Sequence, residues 1–272
     1  MQQPIIKWSG SKRSQIDSIL SYFPKEQIDT YYEPFVGGGS ILYGVLKNGL
    51  CERVVASDLC YPLIDLWNTI IFSPDSILFS YTQLWNRLQK EGQKVYYEVR
   101  DRFNKTNNPE DFFFLNRTCF NGLMRFTKDG KFNTSFHLNR KGIEPKRIDA
   151  ILHDWVSILQ SCNRIEFKCC DYSESLNKAT DKDFVYLDPP YAHTVGMYQG
   201  DFDSNRLYNQ LEQLNNRGVR WLLSYDGDRY PDTQIPKDLY KNHYLLDSGV
   251  SSFSRIKNKE RLWVKESLYS NF

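Results

Sequence analysis

The 272-residue chain has no run of about 18 apolar residues, so no segment reads as a membrane-spanning helix. Its start, Met1-Gln2-Gln3-Pro4, lacks the apolar stretch of a secretory signal, and a cytoplasmic location is expected. Cysteine is sparse and badly spaced for metal. Cys51, Cys60, Cys119, Cys162, Cys169 and Cys170 form no Cys-x-x-Cys pair and have no histidine at ligand spacing. That disfavours a zinc site, and all six are read as reduced, mostly buried thiols. The four histidines (His137, His153, His193, His243) are scattered and support no Ser-His-acid arrangement. Neither Gly-x-Gly-x-x-Gly nor a Walker lysine occurs, which disfavours pyrophosphate and nucleoside triphosphate. Net charge is only +2, so the total does not announce nucleic acid, though a basic face can coexist with an acidic back. No internal repeat or low-complexity tract is visible.

What is present centres on Asp188-Pro189-Pro190-Tyr191. The apolar run Phe184-Val185-Tyr186-Leu187 before it reads as a buried central strand of a parallel sheet. Two prolines cannot continue that strand, so it stops and leaves an acid, a stiff carbonyl turn and an aromatic at its carboxyl end. In open α/β sheets that end is where ligands bind. A carboxylate beside a rigid carbonyl can accept hydrogen bonds from an exocyclic amine while an aromatic face stacks on its ring. The same residues also suit a solvated acid capping a Pro-Pro turn.

Other segments carry related signals. Residues 4–13 gather Gly10, Ser9, Ser11 and the cations Lys7, Lys12 and Arg13, followed by a helical pattern over 14–22. Residues 31–40 read as strand, triple-glycine turn (Gly37-Gly38-Gly39) and helix; without Cβ atoms the backbone can approach a ligand closely. Some 20 residues on, residues 53–59 read as a short strand ending in Asp58, placed either to grip the ribose of an adenosine-containing cofactor or to cap the helix beginning near Tyr61-Pro62. Residues 164–172 read as a strand ending at Asp171, a candidate for an adenine amine. Strands at 219–225, 240–246 and 261–267 complete the sheet, the last two as an antiparallel pair. The stretches 192–203 and 248–259 read as mobile loops. Between the two halves of this strand-helix alternation, 62–163 is mostly helical and reads as an inserted lobe. Within it, 116–126 interleaves aromatics with Arg and Asn, and 127–133 reads as a hairpin turning at Asp129-Gly130. Lys128, Lys131, Arg140, Lys141, Lys146 and Arg147 make this stretch basic, and a two-stranded ribbon fits a DNA major groove.

Taken in order, Lys7-Trp8-Ser9-Gly10-Ser11-Lys12, Glu33-Pro34-Phe35-Val36-Gly37-Gly38-Gly39-Ser40, Asp58, the 116–133 block and the segment ending Asp188-Pro189-Pro190-Tyr191 resemble the Dam-type, α-class DNA adenine-N6 methyltransferases; the lobe also resembles the EcoRV-type modification methylase. The resemblance implies a Rossmann-like, seven-stranded α/β fold dependent on S-adenosylmethionine. The catalytic domain would be 1–61 with 164–272, and 62–163 the target-recognition domain. It implies site-specific methyl transfer to adenine N6 in duplex DNA by base flipping, with Asp188, Pro189, Pro190, Tyr191 and Lys12 as catalytic residues. Cofactor residues would be Lys7, Trp8, Ser9, Lys12, Phe35, Gly37, Gly38, Gly39, Ser40, Asp58, Leu59, Asp171, Tyr172 and Asp188. DNA residues would be Lys7, Arg117, Phe120, Asn121, Arg125, Lys128, Lys131 and Asn133. A bacterial, phage or viral source, a cognate restriction endonuclease and a monomer or weak dimer belong to the same expectation. Ser11 stands where the family usually has a second Gly, and Thr134-Ser135-Phe136-His137 departs from its hairpin pattern. Both departures bear on the target sequence more than on the chemistry. A non-catalytic nucleic-acid module on the same fold, and a cytosine-N4 or RNA methyltransferase, are the competing readings.

Overall fold

The computed structural model describes residues 3–139, 141–190, 202–225, 235–250 and 263–272, with the side chains of 248–250, 263 and 264 excepted. Tyr191, Arg140, His193 and most of the two expected loops lie outside the described residues. Among those described, seven strands form one sheet in the order β3-β2-β1-β4-β5-β7-β6. The strands are β1 (Ile28–Glu33), β2 (Cys51–Asp58), β3 (Arg164–Cys169), β4 (Phe184–Leu187), β5 (Arg220–Tyr225), β6 (Asn242–Val250) and β7 (Trp263–Ser270). β1 to β5 pair in parallel, and β7 runs antiparallel to both β5 and β6. β4 lies between β1 and β5 with all four of its residues buried, which is why its sequence is apolar without alternation.

The parallel strands are linked by helices, as the parallel arrangement demands. α1 (Ile16–Leu20) precedes β1, α2 (Ser40–Lys47) follows it, and α9 (Ser204–Asn216) leads into β5. β3 is shorter than expected. It stops at Cys169 because Asp171 starts the one-turn α8 (Tyr172–Ser175), accepting from the Ser173 backbone N–H at 2.9 Å.

Between β2 and β3 stand α3 (Tyr61–Phe72), α4 (Pro74–Glu91), α5 (Lys94–Thr106), α6 (Pro109–Thr118) and α7 (Pro145–Gln160). α6 is buried from Asp111 to Thr118 and holds Phe112, Phe113 and Phe114 at its centre. Each buried Phe contributes about 1.5–3 kcal/mol. Asn108 caps the helix by accepting from Asp111 N–H at 2.9 Å, with Pro109 following at the first helical position. The segment is not a detached appendage. Trp67 of α3 stacks on Phe167 of β3 at 5.1 Å and packs on Trp155 of α7, so one apolar core runs through both. The 127–133 hairpin forms as expected, closed by the Phe126–Phe132 bridge and a Gly130 N–H to Thr127 carbonyl bond of 2.9 Å. Asn104 of α5 fixes it by donating to Phe132 O at 3.0 Å and accepting from Phe132 N–H at 2.8 Å. One expectation fails: of the six free cysteines only Cys119 is buried, and Cys169 is exposed at the edge strand β3.

Candidate active site

Because β1 to β4 are parallel, their carboxyl ends share one edge. The chain leaves β1 toward β2 and β3 on one side, while β4 and β5 lie on the other, so the strand order reverses between β1 and β4. The glycine turn after β1 and Asp188 after β4 therefore flank the switch point where open α/β sheets hold ligands.

On the β4 side Asp188 is not alone. Lys12, from the N-terminal loop, is buried with its Nζ 2.8 Å from Asp188 Oδ1 and 2.7 Å from Glu266 Oε1 of β7. Burial alone would lower the Lys12 ammonium, but the two carboxylates outweigh it and hold it above the ordinary lysine range. Burial pushes Asp188 up to about 6, against the pull of Lys12 and with Glu266 adding to the rise. Beneath this group Glu33, the last residue of β1, accepts from the Tyr31 hydroxyl at 2.7 Å. Burial pushes the Glu33 carboxyl up to about 8, so it is largely neutral at pH 7. Tyr186 and Ser224 share a buried 2.7 Å hydrogen bond on the neighbouring strands. Glu266 and Glu33 are outside the expected site residues. The signal for Glu266 was an acid in an otherwise sheet-forming segment with no local partner; its partner is 254 positions away in sequence and only the fold supplies it.

On the β1 side the glycine turn has an unexpected neighbour. A Cβ on Gly37 would lie 2.6 Å from Trp8 Cδ1, and one on Gly39 would lie 2.9 Å from Trp67 Cζ2. The space that the missing Cβ atoms open is filled by the chain's own indole rings, and Trp67 Nε1 donates to Gly37 O at 2.9 Å. Ser40 begins α2 and its hydroxyl lies 2.8 Å from that of Ser11, tying the N-terminal loop to the turn; Ser9 is half-buried in that loop. Asp58 accepts from Gly37 N–H at 3.2 Å and from Cys60 N–H at 3.0 Å. Burial pushes its carboxyl up to about 6 against these donors. Leu59 beside it is 67 % exposed, an apolar side chain left uncovered at the edge.

Farther along the edge Phe35 packs on Tyr172 at 5.3 Å, with Phe202 6.2 Å from each ring. The Tyr172 hydroxyl is buried without a hydrogen-bond partner. Asp171, expected to meet an adenine amine, holds Arg206 of α9 with contacts of 3.0 and 2.6 Å. Burial raises its carboxyl, but Ser173 and Arg206 outweigh that and hold it below the ordinary range. Two ring faces, a carboxylate on the glycine turn, an exposed leucine and an unsatisfied hydroxyl make a donor set that fits an adenosine-bearing group.

The expected DNA residues divide. Phe120, Asn121, Arg125, Lys128, Lys131 and Asn133 are exposed on the lobe, with Phe120 stacked on His137 at 5.4 Å. Arg117 is a correction. It is 5 % exposed, and its guanidinium donates to the carbonyls of Pro4 at 2.9 Å and Ile5 at 3.3 Å. An arginine among aromatics read as surface because charge is usually solvated; here the N-terminal segment crosses α6 and supplies carbonyl acceptors. The neighbouring Asn116 accepts from Lys7 N–H at 2.9 Å and donates to Lys7 O at 2.8 Å, pinning that loop to the lobe. Lys7 Nζ itself donates to Arg117 O at 3.2 Å. Among the described residues no cluster of His, Cys, Asp or Glu could hold a metal ion, and no helix is long and apolar enough to cross a membrane.

Known proteins bear on this geometry. The type II methyltransferase M.MjaIII of Methanocaldococcus jannaschii is 30 % identical over 248 residues, 82 % of this chain and 83 % of that protein. M.CviBI of Paramecium bursaria Chlorella virus NC1A is 32 % identical over 265 residues, 91 % and 94 % of the two chains. The DNA adenine methylase of Escherichia coli K12 is 33 % identical over 191 residues, 69 % of this chain and 64 % of that one. Among solved structures, the rRNA methyltransferase aviRa of Streptomyces viridochromogenes overlaps with a TM-score of 0.45 at 13 % identity, covering 99 % of this chain and 90 % of that one. The fold assignment does not rest on it, since the strand order above carries it. The model of the D12 class matches residues 8–261, nearly the whole chain. The chain belongs to the D12 class of N6 adenine-specific DNA methyltransferases.

Proposed function

We propose that this chain methylates adenine N6 within a short duplex DNA sequence, with S-adenosylmethionine as the donor. The observation that carries the proposal is Asp188, pinned by Lys12 at the end of β4 across the switch point from the glycine turn. When bound, the donor supplies an electrophilic sulfonium methyl. Asp58, Leu59, Phe35 and Tyr172 would hold its nucleoside, with the Trp8, Ser9, Lys12, Gly37, Gly38, Gly39 and Ser40 corner around the remainder. Asp171 would reach an adenine amine only by exchanging or sharing Arg206.

The adenine amine is a weak nucleophile because its lone pair is delocalised into the ring. The Asp188 carboxylate and the Pro189 carbonyl would accept its two N–H groups, so the nitrogen pyramidalises and its lone pair is aimed away from them. The chain's contribution is then orientation and charge placement, not deprotonation. The proton is shed after the nitrogen gains its methyl. Because N6 is hidden in the duplex, the base must leave the stack, and Tyr191 and Pro190 would face it. A base-aromatic stack of that kind contributes about 1–3 kcal/mol. Residues 62–163 would be the target-recognition part and 1–61 with 164–272 the catalytic part. Arg125, Asn121, Asn133 and Lys7 would reach base edges, while Lys128 and Lys131 meet phosphates and Phe120 packs against DNA. The type II naming of two relatives makes a cognate endonuclease a reasonable partner to seek. The test is expression in a host free of methylation, followed by sequencing that maps modified bases. Methylated adenine confined to one short motif is expected, and unmodified DNA would sink the proposal.

A further inference from the structure

The Lys12 ammonium is shared between two carboxylates, and only one of them belongs to the expected catalytic set. Counting charge at this corner, Lys12 contributes one positive unit, Asp188 and Glu266 one negative unit each, and Glu33 none while its carboxyl stays protonated. Without Glu266 the Lys12–Asp188 pair would be electrically closed. With it the corner carries one excess negative charge in a place where water screens little, since Lys12 and Glu266 are both buried.

We infer that Glu266 is a positioning residue. It holds the Lys12 ammonium as a second carboxylate beside Asp188, and leaves the site negatively charged so that a cationic methyl donor is preferred over its neutral thioether product. The inference rests on the proposed donor, S-adenosylmethionine, whose sulfonium bears the positive charge that S-adenosylhomocysteine has lost. It concerns a residue of the last strand, far in sequence from every motif of the site. It also gives β7 a role in product release: the site's attraction falls when the methyl group leaves.

The experiment is calorimetry on the full chain with S-adenosylmethionine and S-adenosylhomocysteine separately, for the wild type and Glu266→Gln. The wild type should bind both. In Glu266→Gln the affinity for the sulfonium should fall roughly tenfold while that for the thioether holds, a change expected of one charge in a weakly screened site. Glu266→Asp should restore most of the wild-type ratio. Glu266→Met makes the same charge change with an apolar side chain of similar length, so an unfolded Gln variant does not end the test. An unchanged ratio, or an equal loss for both ligands, overturns the inference and leaves the site reading standing. A wild type that binds neither ligand overturns the site reading itself.

Discussion

Asp188 is the residue on which the proposed chemistry turns, and it differs from an ordinary surface acid in its surroundings more than in its type. Replacing it by Asn removes the charge and one acceptor while keeping the shape. We expect Asp188→Asn to bind DNA near wild-type strength and, at saturating donor, to lose at least about a hundredfold in turnover, as loss of a charge-placing group does. Single-turnover kinetics with binding assays check this. An acid that must be ionised, with its carboxyl near 6, also sets the pH profile. Turnover should rise with pH through about 6 and then level, and Asp188→Asn should lack that step. Glu33 works in the opposite sense. Its carboxyl is raised in the fold, so its stabilising contribution is fully present below about 4.5 and is lost as pH rises through about 8. The wild type should therefore lose stability relative to Glu33→Gln between those limits, by a few kcal/mol, measured as urea midpoints across pH. At the proposed DNA face, Arg125→Ala should relax discrimination at one base pair by roughly 1–3 kcal/mol. An unchanged methylation motif would remove Arg125 from the base-reading set.

At the scale of elements, β2 and β4 were legible because each ends in a short apolar or β-branched run stopped by Asp. β4 could be placed at the sheet centre from four buried-type residues and the Pro-Pro stop that follows. The α7 helix is plain in the spacing Ile148, Ile151, Leu152, Trp155 and Leu159, yet reading 128–147 by charge alone hides where it begins, because Lys146 and Arg147 sit in its first turn. The glycine turn was legible as a turn but not in its reason. Nothing local says that Trp8 and Trp67, from two other segments, occupy the space beside it. That packing makes a specific expectation for the element. Gly39 has φ of 66°, and an added Cβ would sit 2.9 Å from Trp67. Gly39→Ala should cost on the order of 2–4 kcal/mol from backbone strain and overpacking together, read as a fall in the denaturation midpoint. A neutral substitution there would mean that the rings give way easily.

For the whole molecule, the single core from β3 through α3 into α7 has a consequence for how the parts act. The inserted segment cannot swing freely, so the exposed face of the hairpin and the Asp188 corner keep a fixed relation through the Lys7–Asn116 pairing and the Trp67–Phe167 stack. Arg117 was misread for the same reason that this rigidity was invisible. Sequence separation conceals which charged residues another segment will cover. Glu266 was missed likewise, being joined to the site only by β7 taking its place beside β5. The proposed reaction is methylation of adenine at this edge through Asp188. The most direct measurement is base-resolved sequencing of DNA from a methylation-free host expressing either the wild type or Asp188→Asn. N6-methyladenine is expected in one short motif from the wild type, with almost none from the variant. Methylation at cytosine, or equal adenine methylation from both proteins, would contradict it.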